Sequence, residues 1–378
     1  MTIPLREARQ FQKRVLDWYA CHGRKHLPWQ QSISAYRVWL SEIMLQQTQV
    51  ETVIPYFERF VSHYPSVQSL AAAPLDHVLH LWSGLGYYAR ARNLHKAAIA
   101  VCEHFDGEFP RSVAALQTLP GIGRSTAGAI ASLAYQQPAA ILDGNVKRVL
   151  ARHYAINGWP GQTATANQLW DIAEALAPNN SKKPNDNRAS LQNDNSAYSQ
   201  VMMDLGAVVC TRSKPKCHEC PLACSCQAYE QGTWANYPGK KLKKTLPVKH
   251  LYMLLLQVNN STLLEERPSS GIWGGLWSLP ELDDMAELTP LLKQRWPQYK
   301  TEGKAQPQAT LRHTFSHYHL DITPVVQPLK VTAVQAPPTN YIGAKLEKRA
   351  ELWYNPEQPQ SIGLAAPVKK ILAQLCRI

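Results

Sequence analysis

Residues 119–128 read Leu-Pro-Gly-Ile-Gly-Arg-Ser-Thr-Ala-Gly, and this stretch predicts a tight hairpin between two helices. Gly121 and Gly123 suit the turn because glycine adopts sharp backbone conformations without steric cost. Ser125 or Thr126 is then placed to cap the second helix. Backbone N–H groups at such a turn, beside a helix N-terminus, form an anion site that fits a DNA phosphate, and the intervening arginine adds charge. Taken alone, the motif is also compatible with a plain turn.

About twenty residues after the hairpin, Asp143 stands at the start of a helix predicted over residues 145–154. The commonest role of an aspartate at this position is that of an N-cap. Capping is compatible with catalysis, because a carboxylate held ionised at a helix N-terminus is preorganised to stabilise a cation.

A second acidic residue, Glu42, lies in the middle of a helix predicted over residues 36–49. That helix is apolar on most of its circumference, which indicates burial. A helical glutamate is usually solvated, but burial would raise the pKa of Glu42 and let it donate a proton near neutral pH. Gln46 and Gln47 follow it, either as a solvated helix end or as amides that enter a base stack or read base edges.

Residues 84–92 combine a Gly-x-Gly turn with paired tyrosines and two arginines. The tyrosines and arginines are compatible with ordinary core and surface positions. They are equally compatible with a wedge at a DNA lesion, formed by the paired tyrosines, with phosphate contacts beside it.

Five of the eight cysteines lie between residues 210 and 226. Such clustering indicates a metal or cluster site in a reducing compartment rather than disulfides. The spacing is Cys210-x6-Cys217-x2-Cys220-x5-Cys226, whereas zinc sites more often show two Cys-x2-Cys pairs or histidines. Cys224 lies outside this pattern, as a spare thiol or an alternative ligand.

The totals predict two domains and a polyanionic partner. A chain of 378 residues can bury two substantial cores. Its 40 Lys and Arg against 28 Asp and Glu give a net charge of +12, which suits nucleic acid although many basic proteins do not bind it. The longest apolar runs are too short to span a bilayer and no signal sequence is recognisable, so we expect a soluble intracellular protein without membrane contact.

The pattern along the chain changes from helical to strand-like near residue 248. We therefore expect a mostly helical domain over residues 1–226, a basic linker over 227–247 and an α+β domain over 248–378. Residues 178–196 are rich in Asn and Ser and are predicted to form a flexible insertion.

Taken together, these stretches resemble the helix-hairpin-helix DNA glycosylases of the endonuclease III superfamily, and among them the MutY-type adenine DNA glycosylases. The resemblance rests on residues 39–48, 84–92, 119–128, 142–148 and the cysteine loop. It implies a mostly α N-terminal helix-hairpin-helix domain with an iron–sulfur loop, followed by an α+β Nudix-like domain. It also implies a [4Fe-4S] cluster held by the four cysteines of the pattern.

The activity implied by the resemblance is excision of adenine mispaired with 8-oxoguanine or guanine in double-stranded DNA, a base-excision repair reaction that prevents G:C to T:A transversions. Breaking an N-glycosidic bond requires an acid and an ionised carboxylate. By the resemblance, Glu42 protonates adenine at N7, Asp143 stabilises the oxocarbenium ion or briefly bonds to it, and Asn145 orients the site.

The resemblance also assigns residues to DNA and lesion binding. Gln47 and Tyr87 match positions that occupy the gap left by the flipped base and flank the oxidised guanine. Phe315, Ser316 and His317 match a loop at 8-oxoguanine, the alternative being that Phe315 is core and the histidine is surface. We also assign Gln46, Gly121 and Gly123 to the DNA-binding residues.

Ser125 separates this chain from the lyase relatives, which carry a Schiff-base lysine at that position. Serine cannot form a Schiff base, so we expect base removal without β-lyase activity. We further expect a monomer in the bacterial cytoplasm, associated with the nucleoid.

Three alternatives are an oxidised-pyrimidine glycosylase and AP lyase of the endonuclease III type, a non-catalytic DNA-binding iron–sulfur protein, and a Nudix hydrolase. The serine and the C-terminal domain argue against the first. The presence of both Glu42 and Asp143 argues against the second, and the acidic pyrophosphatase signature expected for the third is not visible.

Overall fold

The computed structural model describes residues 3–178, 192–241, 245–331 and 350–375. The chain forms two compact units, of which the first comprises Met1–Ala72 and Asn93–Lys243 and the second comprises Ala73–Arg92 and Lys244–Ile378. Residues 179–191 of the predicted insertion lie outside the described residues, as do residues 242–244 of the expected linker.

Helices fill the described chain up to the cysteine loop. In chain order they are α1 (Leu5–His22), α2 (Ala35–Leu45), α3 (Val50–His63), α4 (Val67–Ala71), α5 (Leu75–Leu81), α6 (Ala89–His104), α7 (Val113–Leu116), α8 (Arg124–Tyr135), α9 (Gly144–His153), α10 (Thr163–Leu176) and α11 (Gln192–Asp204). A π-helical turn, Leu205–Val209, and a short helix α12 (Gln227–Glu230) follow. The sequence pattern assigned α12 to the linker, whereas in the structure it lies within the first unit.

The core of the first unit lies among α1, α9, α10 and α11. Phe11, Val149, Leu169 and Val201, one from each of these helices, are buried in a single apolar cluster. Their helical spacing from other apolar residues explains why each helix buries one face. Among the described helices, none is long and apolar enough to cross a membrane.

Helix α2 packs on α8 and brings the two motif-bearing stretches together. Its N-cap is Ser34, whose hydroxyl accepts from the backbone N–H of Arg37 (3.2 Å). The helix ends at Leu45, four residues earlier than predicted, because Gln46 leaves the helical conformation and Gln47 adopts a left-handed backbone (φ +60°).

The described part of the second unit is α+β. Its strands are β1 (Val248–Val258), β2 (Ser261–Glu266), β3 (Trp277–Ser278), β4 (Glu281–Leu282), β5 (Tyr299–Thr301), β6 (Gln306–Pro307), β7 (Leu311–Thr314), β8 (His319–Val331) and β9 (Glu351–Tyr354), with helices α13 (Leu288–Arg295) and α14 (Ala366–Leu375). The sheet runs β3-β2-β1-β8-β5, with β4 on β1, β6 and β7 on β8, and β9 on β2. The β1–β2 hairpin confirms the one predicted, and its turn uses Asn259 at φ +53°.

Long β1 and β8 pair in parallel from Val248↔His319 to Gln257↔Pro328 and form the centre of the sheet. The segment Ala73–Arg92, which the sequence pattern grouped with the first domain, belongs to this second unit. Asp76 on α5 accepts from the backbone N–H of Gly363 (3.1 Å). A helical first unit and an α+β second unit confirm the predicted fold class.

Candidate active site

Both predicted catalytic carboxylates face one cleft in the first unit, with a volume of about 1190 Å³. Glu42 reaches it from α2, and Asp143 reaches it from the start of α9. Four further residues of the predicted site line the same cleft: Gln46, Gln47, Ser125 and Asn145. Residues that are far apart in sequence are thus brought together by the packing of α2 on α8.

Glu42 sits among buried neighbours, Ser41, Ile43 and Met44, on a helix that has little contact with solvent. Burial raises the pKa of Glu42 to about 8, and the negative charge of Asp143 contributes to the rise. A carboxyl group with this pKa is protonated at neutral pH. It can therefore act as a proton donor to a leaving group in the cleft.

Asp143 is the N-cap of α9, and it is held by two hydrogen bonds. Its Oδ1 accepts from the backbone N–H of Val146 (2.8 Å), and its Oδ2 accepts from the side-chain amide of Asn145 (3.2 Å). Burial raises the pKa of Asp143, while these donors and the charge of Arg148 oppose the rise. Capping and exposure to the cleft coexist at this residue, because each carboxylate oxygen can accept more than the one hydrogen bond it makes here.

Arg148 connects this turn to the cysteine loop. Its guanidinium donates to Oδ1 of Asn145 (2.9 Å) and to the carbonyls of Gly206 (2.6 Å) and Cys210 (2.7 Å). A Cβ on Gly206 would lie 2.4 Å from the Cβ of Asn145, so only glycine lets the π-helical turn approach α9 this closely. The role of Arg148 was not predicted, although its position one turn after Asn145 was an available signal.

The glycine hairpin has the predicted turn but not the predicted cap. Gly121 adopts φ +77°, and Gly123 is the N-cap of α8 without a side-chain hydrogen bond. The expectation that Ser125 or Thr126 caps the helix was wrong. Ser125 instead accepts from the backbone N–H of Leu142 (3.0 Å), because the segment before Asp143 runs alongside α8.

Arg124, expected to add charge at the hairpin, is directed elsewhere. Its guanidinium pairs with the carboxylate of Glu174 and lies 4.0 Å from the ring centre of Trp170. Its charge is therefore shared with α10. The anion site at the hairpin would consist of backbone N–H groups at the start of α8.

The four cysteines of the pattern line one cavity, and Cys224 is exposed outside it. Arg152 donates towards Sγ of Cys210 (3.3 Å) and to the carbonyl of Thr211 (2.7 Å). In the described part of the chain, no three His, Cys, Asp or Glu side chains are placed to hold one metal ion. The four thiols share a cavity without forming a mononuclear site.

Two predicted lesion-binding residues stand out by their backbone. Tyr87, in the second unit, is 57% exposed at φ +48°, and Gln47, in the first, is exposed at φ +60°. A left-handed backbone is uncommon for residues other than glycine and concentrates at functional positions. Neither conformation could be read from the sequence.

Phe315, Ser316 and His317 form the tip of the β7–β8 hairpin. The turn is closed by the backbone N–H of Phe315, which donates to the carbonyl of Tyr318 (2.9 Å). Ser316 and His317 are exposed, whereas Phe315 is half-buried and its ring centre lies 4.6 Å from that of His313. The serine and the histidine are thus exposed at the tip of the loop, and the packed rings of Phe315 and His313 lie beneath them.

Comparison with known proteins identifies two family models. Residues 40–175 match the HhH-GPD superfamily of base excision DNA repair proteins, and residues 251–374 match the NUDIX domain. The chain is 38% identical over 362 residues to the adenine DNA glycosylase of Buchnera aphidicola subsp. Schizaphis graminum, a match that covers 96% of this chain and 97% of the relative. It is 40% identical over 364 residues to that of Buchnera aphidicola subsp. Acyrthosiphon pisum, with 96% of each chain covered.

The chain belongs to the adenine DNA glycosylase family. It is therefore an enzyme of the class that hydrolyses N-glycosidic bonds, and the predicted combination of helix-hairpin-helix and Nudix-like domains is confirmed. Among solved structures, a thermostable thymine-DNA glycosylase is 26% identical with a TM-score of 0.51, and the match covers 59% of this chain and 97% of that one.

Several residues of the cleft were not anticipated for this member of the adenine DNA glycosylase family. They supply positive charge, an indole and an amide to the cleft: Arg24, Trp29 and Gln200. Arg24 is fixed by the fully buried carboxylate of Asp204, to which its Nε (2.9 Å), Nη2 (2.7 Å) and backbone N (2.9 Å) donate. The signal available in the sequence was Asp204, the acidic residue within the apolar stretch 201–209.

Proposed function

We propose that the protein excises adenine from A:8-oxoguanine and A:G mispairs in double-stranded DNA, and that it does so without a lyase step. One observation carries the catalytic part: two carboxyl groups, Glu42 and Asp143, face one cleft in different environments. N-glycosidic cleavage requires such a pair, one neutral and one ionised.

In the proposed reaction Glu42 gives its proton to N7 of the flipped adenine, so that the base leaves as a neutral molecule. Positive charge then develops on the sugar. Asp143 stabilises this charge electrostatically, and the two donors that hold its carboxylate favour the ionised form. Water then bonds to the sugar carbon that adenine left and releases one proton, which restores the protonated form of Glu42 directly or through solvent.

Absence of lyase chemistry is proposed from Ser125. A lyase of this superfamily needs an amine at that position to form a Schiff base. The Ser125 hydroxyl lines the cleft but is occupied as an acceptor from Leu142. We assign it a positioning role for the segment that leads into Asp143.

The decisive experiment uses a labelled duplex with one adenine opposite 8-oxoguanine, divided after incubation into hot-alkali and untreated samples. Strand breakage only after alkali is the expected result. Breakage without alkali would contradict the absence of lyase activity. No breakage in either sample, with DNA binding retained, would contradict excision. The Glu42→Gln variant should lose excision and keep DNA affinity, and surviving turnover would overturn its assignment as the acid.

For the cysteine loop we propose a [4Fe-4S] cluster. In a zinc site all four sulfurs lie about 2.3 Å from one ion. In a four-iron cluster each thiolate binds a different iron, so the sulfurs are spread around a larger group. The arrangement of the four cysteines around one cavity supports the proposed cluster.

Cys210, Cys217, Cys220 and Cys226 would hold the cluster, and the cluster would supply a rigid crosslink for a loop that carries Arg212, Lys214 and Lys216. Iron and acid-labile sulfide analysis of the purified protein tests this. We expect about four of each per chain, and one zinc per chain with no sulfide would contradict it. Cys224→Ala should leave the iron content unchanged and is the matched control for Cys217→Ala.

For lesion recognition we propose the hairpin tip with Phe315, Ser316 and His317, together with Gln47 and Tyr87. Exposure of the serine and histidine at a fixed turn supports this, because both side chains can reach a base edge. A substrate of mispaired duplex DNA would keep the enzyme at the nucleoid. Phe315→Ala and His317→Ala should lower the preference for A:8-oxoguanine over A:G, and an unchanged ratio would remove the loop from recognition.

A further inference from the structure

The loop Gly271–Gly275 packs directly under the Phe315 hairpin. The ring centre of Trp273 in this loop lies 5.3 Å from that of Phe315 and 5.5 Å from that of His313. Trp273 is only 8% exposed, so its indole has little surface left for DNA. Its contacts are with the residues that present the hairpin tip.

The same loop also holds the segment that carries Tyr87. Arg92 donates from Nη1 to the carbonyl of Gly274 (2.7 Å). A Cβ on Gly275 would lie 3.5 Å from Cδ1 of Leu79, which shows how closely α5 approaches the loop. Tyr87 lies between Leu79 and Arg92 in the chain, so its segment lies beside the loop at Leu79 and is hydrogen bonded to it at Arg92.

The backbone conformation and the contacts of this loop hold it in one conformation. Trp273 adopts φ +54°, a left-handed backbone that is costly for a bulky residue and persists only where its surroundings fix it. Arg267 supplies part of that fixation, donating from Nε to the carbonyl of Ile272 (3.1 Å) with its guanidinium 5.6 Å from the Trp273 ring centre. Gly274 lies so close to the carbonyl of Ser269 that a Cβ would be 2.8 Å from it.

We propose that Trp273 is a positioning residue that sets the discrimination between 8-oxoguanine and guanine by holding the Phe315 hairpin and the Tyr87 segment in one register. This inference rests on the proposed function of the hairpin. Two loops that read the same lesion must keep a fixed separation, and a shared support provides it. The stabilisation from an aromatic pair such as Trp273–Phe315 is lost when either ring is removed.

The test compares Trp273→Ala, Trp273→Leu and Trp273→Phe with Trp353→Ala. Trp353 is a matched control because it is a half-buried tryptophan of the same unit that packs on Tyr299 instead of the hairpin. Single-turnover excision is measured on A:8-oxoguanine and on A:G duplexes, and the ratio of the two rates is the readout.

We expect the alanine and leucine variants to lower this ratio about tenfold, mainly through slower excision from A:8-oxoguanine, since both ring pairs that hold the hairpin are lost. The phenylalanine variant should restore most of the ratio, and Trp353→Ala should keep it. Equal loss on both substrates would overturn the positioning role, because a merely destabilised protein loses both activities together. The leucine variant keeps the test valid if the alanine variant does not fold.

A double variant tests the route. With Phe315→Ala already present, adding Trp273→Ala should lower the ratio by less than it does in the wild-type background, because part of its effect runs through the Phe315 ring and the rest through the Tyr87 segment. Multiplication of the two single effects would contradict the proposed route. A wild-type enzyme without any preference for 8-oxoguanine would refute the proposed lesion recognition and this inference together, whereas a preference that survives in all Trp273 variants would refute the inference alone.

Arg92 provides an independent arm of the same experiment. If it supports the loop through Gly274, Arg92→Met should lower the ratio while the salt dependence of DNA binding stays unchanged. A phosphate contact would instead show as a salt slope reduced by about one with an unchanged ratio, and that result would overturn its supporting role.

Discussion

The raised pKa of Glu42 predicts that Glu42→Gln stabilises the folded protein more strongly as the pH rises. Burial and the charge of Asp143 raise the pKa of Glu42 from 4.5 to about 8. Between these two values the unfolded chain has released the proton while the folded protein retains it. Rising pH therefore favours unfolding: the stability is fully present below pH 4.5 and is lost progressively as the pH rises through 8.

Each pKa unit between the folded and unfolded states corresponds to about 1.4 kcal/mol. The interval from 4.5 to about 8 then amounts to about 5 kcal/mol above pH 8, and to about 3 kcal/mol at pH 7. Glutamine has nearly the same shape but does not titrate, so the variant avoids this loss. Relative to its value at pH 4.5, the difference in unfolding free energy between variant and wild type should be larger by about 3 kcal/mol at pH 7 and by about 5 kcal/mol above pH 8.

Calorimetric unfolding of both proteins at several pH values between 4.5 and 8.5 measures this difference. Only the change of this difference with pH is interpreted, because any pH-independent effect of replacing the carboxyl group by an amide then cancels. Glu51→Gln, at an exposed position of the same cleft, is the matched control. A difference that is constant over the whole range would refute the reasoning, and with it the description of Glu42 as a proton donor poised near neutral pH.

Three further outcomes follow from particular contacts. Ser125→Ala should cost about 1–3 kcal/mol in thermal unfolding and slow excision, because the N–H of Leu142 loses its acceptor; unchanged values would contradict the positioning role. Gly128→Ala should lower the free energy of unfolding by about 1–3 kcal/mol, since its Cβ would lie 2.3 Å from the carbonyl oxygen of Ala140. A variant as stable as the wild type would show that α8 and the segment around Ala140 separate freely. Arg148→Lys should slow single-turnover excision at least about tenfold with DNA affinity retained, because a lysine cannot make the three forked contacts; equal loss of affinity would indicate a DNA contact instead.

The sequence allowed the two carboxylates to be predicted because each carries a local signal. Glu42 interrupts an apolar helix, and Asp143 stands where a helix begins. Both signals depend only on neighbours in the chain. The hairpin turn was predictable for the same reason, since the left-handed backbone of Gly121 requires a glycine.

The features that could not be predicted depend on residues distant in sequence. The acceptor role of Ser125 requires knowing that residue 142 runs beside α8, and the contacts of Arg148 require the position of the π-helical turn. The placement of Ala73–Arg92 was also not predictable. In the chain this segment lies between two parts of the first unit, but it folds with the second unit. Periodicity reports which face of an element is buried and does not report which element buries it.

The different states of the two carboxyl groups follow from what each one faces in the same cleft. Burial raises the pKa of both, so desolvation alone would leave two neutral acids. The backbone of Val146 and the amide of Asn145 donate to Asp143, and Arg148 adds positive charge, whereas Glu42 faces the negative charge of Asp143. These opposing influences support the proposed assignment, in which Glu42 holds the proton and Asp143 is ionised. Because Arg148 is oriented by the carbonyl of Cys210, the assignment of acid and carboxylate depends on how the cysteine loop is folded.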